Sequence, residues 1–478
     1  MAYYGYVTTL KNVRPHPNAD RMKLADCFGN TVCVGLNATE GDAILYFPTD
    51  GQLSLEFCLA NNLLRKLPDG TPSTGYLECD KRHVRAIRLR GERSDGIALG
   101  LESLSTFGDI SGLKVGDRID VFNGHEICCK YVPRTQTRKG HYSEGNKTRK
   151  HKVPVAPLFA EHADTEQLAY NLEAFRPGDE IEITLKMHGT SQRTGYLKVL
   201  KGFKRTLWDR LFKREGTPIY DWGYVSGTRR TVLENFDGGY YGSNEFREPH
   251  SKFFEGKLMK GETVYYEVVG FTTSGVPIMA SGNNAKLNDK EFVKQYGNTT
   301  VFSYGCSPDG YQKIIDVDMS GTLEVGDNSI TINGAATYKK VPQSDVYVYR
   351  MILTTEEGHV VEYSPDYMRY RCEQMGIKTV PVFEKFYIPN EEELNALGLS
   401  AGEYVKEIVN KYLNTEPDPI GKTHIKEGVV VRIINRPKFA AYKDKVFEFK
   451  VIEGLIKSAA SDPDIEEAEE ILGKDNCG

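Results

Sequence analysis

The sequence lacks any run of about 20 consecutive apolar residues, the length a membrane-crossing helix needs. It also lacks a strong excess of one charge. Its 61 Lys and Arg face 66 Asp and Glu, for a formal net charge of −5. A polyanion site must therefore be a local patch and not a property of the whole chain. There is no CxxC pair to build a zinc knuckle. The nine cysteines are scattered, with Cys128 and Cys129 adjacent, and the odd count argues against a disulfide framework. The opening stretch MAYYGYVTTLKNVRPHPNAD has no apolar core of a secretory signal. No repeat of a solenoid or propeller is visible. These absences point to a reducing, cytosolic compartment without membrane contact. What is present is ordinary globular composition, 40% hydrophobic and 27% charged, which excludes wholesale disorder. A chain of 478 residues suggests two to four domains and a core that needs no disulfide support.

Residues 1–125 read as short strands. YYGYVTTL, NTVCVGL, AILYFP and HVRAIRL are rich in β-branched and aromatic residues, and turn formers separate them. This spacing favours a small barrel or sandwich. Residues 126–154 read as a basic linker: KYVPRTQTRKGHYSEGNKTRKHKV holds eight Lys and Arg and one acid, Glu144. It is either a solvated connection or an arm that tracks phosphates, since clustered cations release counterions from a nucleic acid. From 155 to 455 strands such as IEITLKM, TVYYEVVGF and GVVVRII mix with helical stretches, among them TEQLAYNLEAF and NEEELNALGL. Within this region KVLKGFKRTLWDRLFKR carries seven basic residues, one acid, and Phe203, Trp208 and Phe212. It reads as a solvated helix with its aromatics packed inward, the other reading being a helix lying on nucleic acid or membrane. Residues 456–478 form an acidic tail.

The most informative residues are Lys186-Met187-His188-Gly189-Thr190-Ser191, directly after the strand IEITL. Gly189 permits close backbone approach. A lysine at the end of a strand, facing such a turn, can serve as a covalent nucleophile when burial or nearby cations lower its basicity. By itself the pattern also fits a surface lysine before a turn. Further elements follow in order. VSGTRR places Arg229 and Arg230 after a strand; YYEVVGF places Glu267 within an apolar one. YVYRM contributes Tyr349 and Arg350. KEGVVVR places Glu427 before a glycine, and FEFKVI is expected to hold Lys450 in a strand. Charges inside apolar strands are costly unless paired or functional.

This ordered set resembles the covalent nucleotidyltransferase superfamily and, within it, the ATP-dependent RNA ligases. The resemblance covers about 155–455 and implies an α+β multidomain protein, with a nucleotidyltransferase domain built on antiparallel sheets with flanking helices. It implies that Lys186 attacks the α-phosphate of ATP and holds AMP as lysyl-AMP. His188 and Gly189 would shape the pocket. Arg229, and secondarily Arg230, would contact phosphate or RNA; Glu267 would bind the ribose; Tyr349 would stack on adenine. Glu427 would position hydrated Mg²⁺ or Mn²⁺ through water, or orient the nucleophile, and Lys450 would neutralise the α-phosphate and help keep Lys186 deprotonated. Two positions depart from the pattern. Glu448 stands where a second lysine is usual, with Lys445 or Lys443 as replacements, and Ser191 stands where some relatives have Asn. The stretch 272–343 is long for its place, and ITINGAATY within it reads as an added hairpin.

VRPHPNADRMKLADC and IRLRGERSDGIALGLESL resemble the signature segments of tRNA-binding OB domains, which implies an N-terminal OB-type β-barrel. Its role would be RNA engagement through Arg85, Arg88, Arg90 and Arg93, or mainly structural. The function implied is joining of 3′-OH and 5′-phosphate RNA ends through lysyl-AMP and adenylylated RNA, as nick sealing in RNA repair by a monomer. The alternatives are a DNA ligase, a GTP-dependent capping-type enzyme, a tRNA-binding accessory factor, or a non-catalytic RNA-binding protein with a decayed transferase domain.

Overall fold

The computed structural model describes residues 3–132, 153–212, 214, 216–236, 244–279, 302–314, 321–325, 328–332 and 337–459. Most of the basic linker and of the acidic tail therefore lies outside the described residues. The chain divides into two compact units, Met1–Gln136 with Lys445–Pro463, and Thr137–Asp444 with Asp464–Gly478. The Lys445–Pro463 segment thus groups with the N-terminal unit, whereas the sequence reading carries the second domain through 455 and begins the tail at 456.

In the first unit the strands pair as small antiparallel sheets. One contains Arg118–Ile119, Gly5–Thr9, Ala43–Phe47 and Ile97–Gly100 in that order, another the meander Lys11–Pro15, Met22–Cys27 and Asn30–Gly35. Among the described residues these ladders do not join into one closed ring. Their inward positions build a core around Val7, Leu45, Phe47, Phe57 and Leu104, all essentially inaccessible. The expected strand FEFKVI is instead part of a helix, Phe447–Ala459. Its first residues alternate with period two. The continuation VIEGLIKSA adds apolar residues three and four apart, and that longer period prevails.

The second unit holds two larger sheets. One has five strands, in the order Glu166–Gln167, Ala440–Lys445, Gly428–Ile433, Glu180–Lys186 and Val382–Tyr387. The other has six, in the order Val232–Leu233, Thr217–Gly227, Thr190–Lys204, Glu262–Gly270, Ser344–Thr354 and Val360–Glu362. Alternation decides which face each sheet buries. Ile181, Ile183, Val429, Val431 and Ile433 of the first sheet pack on Val405, Ile408 and Val409 of the helix Ala401–Asn410. Val264, Tyr266, Val268, Val348 and Met351 of the second pack on Met368, Cys372 and Met375 of the helix Pro365–Met375.

NEEELNALGL forms the helix Glu391–Leu397, started by a capping box between Asn390 and Glu393 and ended by left-handed Gly398. TEQLAYNLEAF does not form an α-helix. It gives a short bridge strand and two single turns of 3₁₀ helix. The long stretch 272–343 holds two antiparallel pairs, Gly321–Val325 with Asn328–Ile332 and Tyr311–Ile314 with Thr337–Lys340. Among the described residues all cysteines are free, and no helix is long and apolar enough to cross a membrane.

Candidate functional site

The turn Met187–Gly189 connects the two sheets of the second unit. Lys186 is the last residue of a strand in the five-stranded sheet, and Thr190 is the first of a strand in the six-stranded one. Gly189 lies against the neighbouring strand so closely that a Cβ there would meet the Val268 carbonyl oxygen at 2.4 Å and Glu267 Cγ at 2.9 Å. Only glycine lets this turn approach the strand that carries Glu267.

Pairing then aligns the candidate residues. Lys186 stands opposite Gly428 in the ladder, which brings the preceding Glu427 alongside. Glu427 is 3% exposed, with one carboxylate oxygen 2.6 Å from Lys186 Nζ and the other 3.2 Å from His188 Nδ1. Ser191 stands opposite Glu267 in the next ladder, and its hydroxyl donates to Glu267 Oε2 at 3.0 Å. Lys186, His188, Gly189, Ser191, Glu267 and Glu427 therefore converge, although they span more than half of the second unit's sequence. Tyr347 faces Glu267 directly across the following ladder, and Tyr349 comes after it at a bulge, with its ring 5.5 Å edge-on from His162. Arg229 and Arg230 both bind Asp164, at 2.5 and 3.0 Å.

Two features of this site are not legible in the sequence, and a third places a residue that is. First, the long 272–343 stretch contributes to it. Tyr304 accepts the backbone N–H of His188 through its hydroxyl at 2.7 Å, and the Phe302 ring lies 4.6 Å from the His188 ring. Burial pushes the Tyr304 hydroxyl well above its ordinary pKa, so it remains a neutral donor and acceptor. Second, Arg247 is completely buried and donates to the Ser191 carbonyl at 3.0 Å and the Thr190 hydroxyl at 2.6 Å, fixing the strand that follows the turn. No motif marks it; only contact reveals it. Third, the strand Ala440–Lys445 lies beside Gly428–Ile433. Ala440 and Tyr442 join the helix-side core, and Asp444 forms a buried ion pair with Lys406 of the helix. By alternation Lys443 points to the opposite face, which is the face of Lys186. Both replacements the sequence offers, Lys443 and Lys445, lie on this strand.

Lys450 is not in a strand of either sheet. It lies on the helix Phe447–Ala459 of the first unit, with Nζ 2.6 Å from Asp95. Glu448 on the same helix accepts from Arg88 at 3.1 Å and Arg93 at 2.8 Å. Both guanidiniums also lie over the Phe447 ring. The carboxylate that would have repelled a phosphate thus has cations of its own. Arg90 lies just past the strand Ala86–Leu89 that carries Arg88. It has a left-handed φ of 47° in the turn before Gly91, and Arg93 is the residue opposite Arg88. The HPNAD and IRLRG segments bind each other: the His16 ring contacts the Leu89 carbonyl at 3.1 Å, and Asn18 donates to the Arg90 carbonyl at 3.0 Å. These contacts tie the two segments to each other within the first unit.

No protein-family model matches the chain, and no curated protein matches it significantly. Solved structures do match. A variant of the RNA ligase of Naegleria gruberi solved with ATP and Mn aligns over 96% of this chain and 99% of its own, at a TM-score of 0.50 and 14% identity. An apo variant of the same ligase covers 94% and 98%, at a TM-score of 0.50 and 14% identity. A further variant with ATP and Mn covers 93% and 98%, at 0.50 and 13%. The chain shares its fold with the Naegleria gruberi RNA ligase.

Proposed function

We propose that the protein is an ATP-dependent RNA ligase that seals 3′-OH and 5′-phosphate ends through a lysyl-AMP intermediate, with nick sealing in RNA repair as its use. The observation that carries this reading is the contact of Lys186 Nζ with the buried carboxylate of Glu427 at 2.6 Å, on a turn that only glycine allows. Phosphoryl transfer asks for positioning and charge neutralisation more than for acid–base groups, and this arrangement supplies both.

In the first step the Lys186 nitrogen attacks the α-phosphorus of ATP, the bond to the bridging oxygen breaks, and pyrophosphate leaves. Glu427 Oε1, 2.6 Å from Nζ, is within reach to take the proton that Nζ loses. His188, held by Glu427 and by Tyr304, closes the floor of the site. Glu267, fixed by Ser191, is placed to accept from the ribose hydroxyls, and Tyr349 offers a ring to adenine. In the second step an oxygen of the RNA 5′-phosphate attacks the AMP phosphorus, the N–P bond breaks, and Lys186 recovers its proton. In the third the 3′-OH attacks the 5′-phosphate and AMP departs. Arg229, braced by Asp164, would meet the phosphate of the RNA end.

The cation beside the α-phosphate is assigned to Lys443. Lys450, held by Asp95, is the second candidate. Among the described residues no three ligating side chains cluster around a common point. The residues fit a hydrated Mg²⁺ or Mn²⁺ that keeps most of its waters and leans on one or two carboxylates, Glu427 first. When bound, such an ion neutralises phosphate charge.

The test is direct. The protein is incubated with Mg²⁺ and α-labelled ATP, GTP or NAD⁺ and run on a denaturing gel. Label from ATP alone, absent in Lys186→Ala, is expected. Label from GTP would turn the reading to capping. Absence of label, with a pre-adenylylated protein excluded by mass, would leave the RNA-binding reading in its place.

A further inference from the structure

The strand Thr190–Lys204 pairs from Arg193 to Lys204 with Thr217–Gly227, with a bulge between Leu200 and Gly202, and the connection between them holds a short helix, Leu207–Leu211. The sequence suggested that the aromatics here pack inward. They do not. Leu207 is 83% exposed, Trp208 68%, Leu211 70% and Phe212 59%. The Trp208 and Phe212 rings lie nearly parallel, 6.0 Å apart at 11°. Lys204, Arg205, Arg210 and Arg214 surround them, all exposed, with Arg214 over the Phe212 ring. The acid in this helix, Asp209, is used in the capping box with Thr206. The tip therefore presents aromatic faces and positive charge together.

The pattern continues down the ribbon. The ammonium groups of Lys198, at 4.8 Å, and Lys260, at 5.3 Å, both lie over the Trp222 ring. Tyr196 and Tyr224 stack on each other beside it at 4.6 Å, partly buried against the core that holds Val264 and Tyr266. The strand that starts this row is the one beginning at Thr190, next to the Lys186 turn. At about 3.3 Å per residue its 15 residues reach roughly 45 Å.

We infer that this ribbon and its tip are a docking surface for a single-stranded stretch of RNA, whose bases stack on Trp208 and Phe212 and whose phosphates meet Arg205, Arg210 and Arg214. The inference rests on the reading of the substrate as RNA. Charge complementarity selects a polyanion. Alternation of rings and cations along the ribbon selects a strand with bases over a flat anionic bilayer, which would touch the tip alone. Stacking on aromatic faces is sequence-tolerant, so the surface would bind a strand without choosing its sequence.

The experiment uses the full chain and a fluorescent 5′-phosphorylated single-stranded RNA, with binding read by anisotropy across a salt series. Three variants are compared: Trp208→Ala/Phe212→Ala, Trp208→Tyr/Phe212→Tyr, and Arg205→Ala/Arg210→Ala/Arg214→Ala. Removing both rings is expected to weaken binding about tenfold or more with the salt slope unchanged, and keeping rings as tyrosine to preserve affinity. The arginine variant should flatten the slope by about 0.7 for each lost phosphate contact on a single strand. Self-adenylylation by ATP, which needs no RNA, should stay at the wild-type level in all three. RNA affinity within twofold of wild type in both alanine variants would overturn the inference. So would equal loss in the tyrosine and alanine ring variants. Binding of phosphatidylserine vesicles that the ring variant abolishes, with RNA affinity kept, would make the tip a membrane site instead. Failure of the wild type to take label from ATP would refute the ligase reading and leave the RNA-binding comparison to stand or fall by itself.

Discussion

Replacing Gly189 with alanine tests the geometry of the site at its narrowest point. The added methyl would lie 2.4 Å from the Val268 carbonyl oxygen, 2.8 Å from Val269 Cγ1 and 2.9 Å from Glu267 Cγ. The first contact is backbone in the middle of a strand buried along its whole length, so the obstacle cannot swing aside. Relief requires the turn to back away from the strand by about an ångström. Overpacking of this kind costs roughly 1–3 kcal/mol, which should appear as a lower midpoint in urea with the slope retained. The chemical cost is larger. Lys186 is three residues away, and a shift of about 1 Å in a reacting group can lower a rate about 100-fold. Self-adenylylation from labelled ATP should therefore fall by about two orders of magnitude. Gly112→Ala is the control, since a Cβ there meets nothing within 4 Å. Wild-type stability and wild-type adenylylation in Gly189→Ala would refute the claim that this turn needs glycine.

Other expectations follow from single contacts. Lys443→Ala should lower the rate of lysyl-AMP formation about 10²–10³-fold, as loss of one oxyanion-stabilising group does elsewhere; a rate within twofold of wild type in a single-turnover assay would return the role to Lys450. Ser191→Ala leaves the buried Glu267 carboxylate without its hydroxyl donor and should cost about 1–3 kcal/mol in urea unfolding. A change under about 0.3 kcal/mol would mean that solvent takes the place of the hydroxyl. Burial lowers the pKa of His250 from 6.5 to about 4, against the opposing pull of Asp345. The native state thus resists a proton that the unfolded chain accepts. Its contribution is complete above pH 6.5 and is lost as pH falls towards 4, up to roughly 3 kcal/mol. His250→Gln should flatten that acid limb of the stability profile, and an unchanged limb would refute the assignment.

Much of the candidate site was legible because its residues are anomalies in their own segments. A lysine before a glycine turn, an acid inside YYEVVGF and an acid before GVVVR each violate the apolar pattern around them, and all three lie where strand pairing draws them together. Alternation also marked which face of each strand is core. Residues that act through contact alone left no such mark. Arg247 and Tyr304 look like any loop arginine and tyrosine until the chain folds over the turn. The element that holds Lys450 was not legible: FEFK alternates like a strand over four residues, and only the apolar spacing beyond it, satisfied by packing, makes it a helix.

The amino-acid sequence by itself determined the local elements, the buried faces and the order of the reactive groups, since these depend on residue type and on spacings of two and 3.6. Tertiary structure alone decided which distant groups meet. It paired Lys186 with Glu427 across 241 positions of sequence, bound Glu448 to Arg88 and Arg93, and left Trp208 and Phe212 facing water. Each of these outcomes turns on strand register and on which surface finds a partner, and neither is written in a segment considered alone.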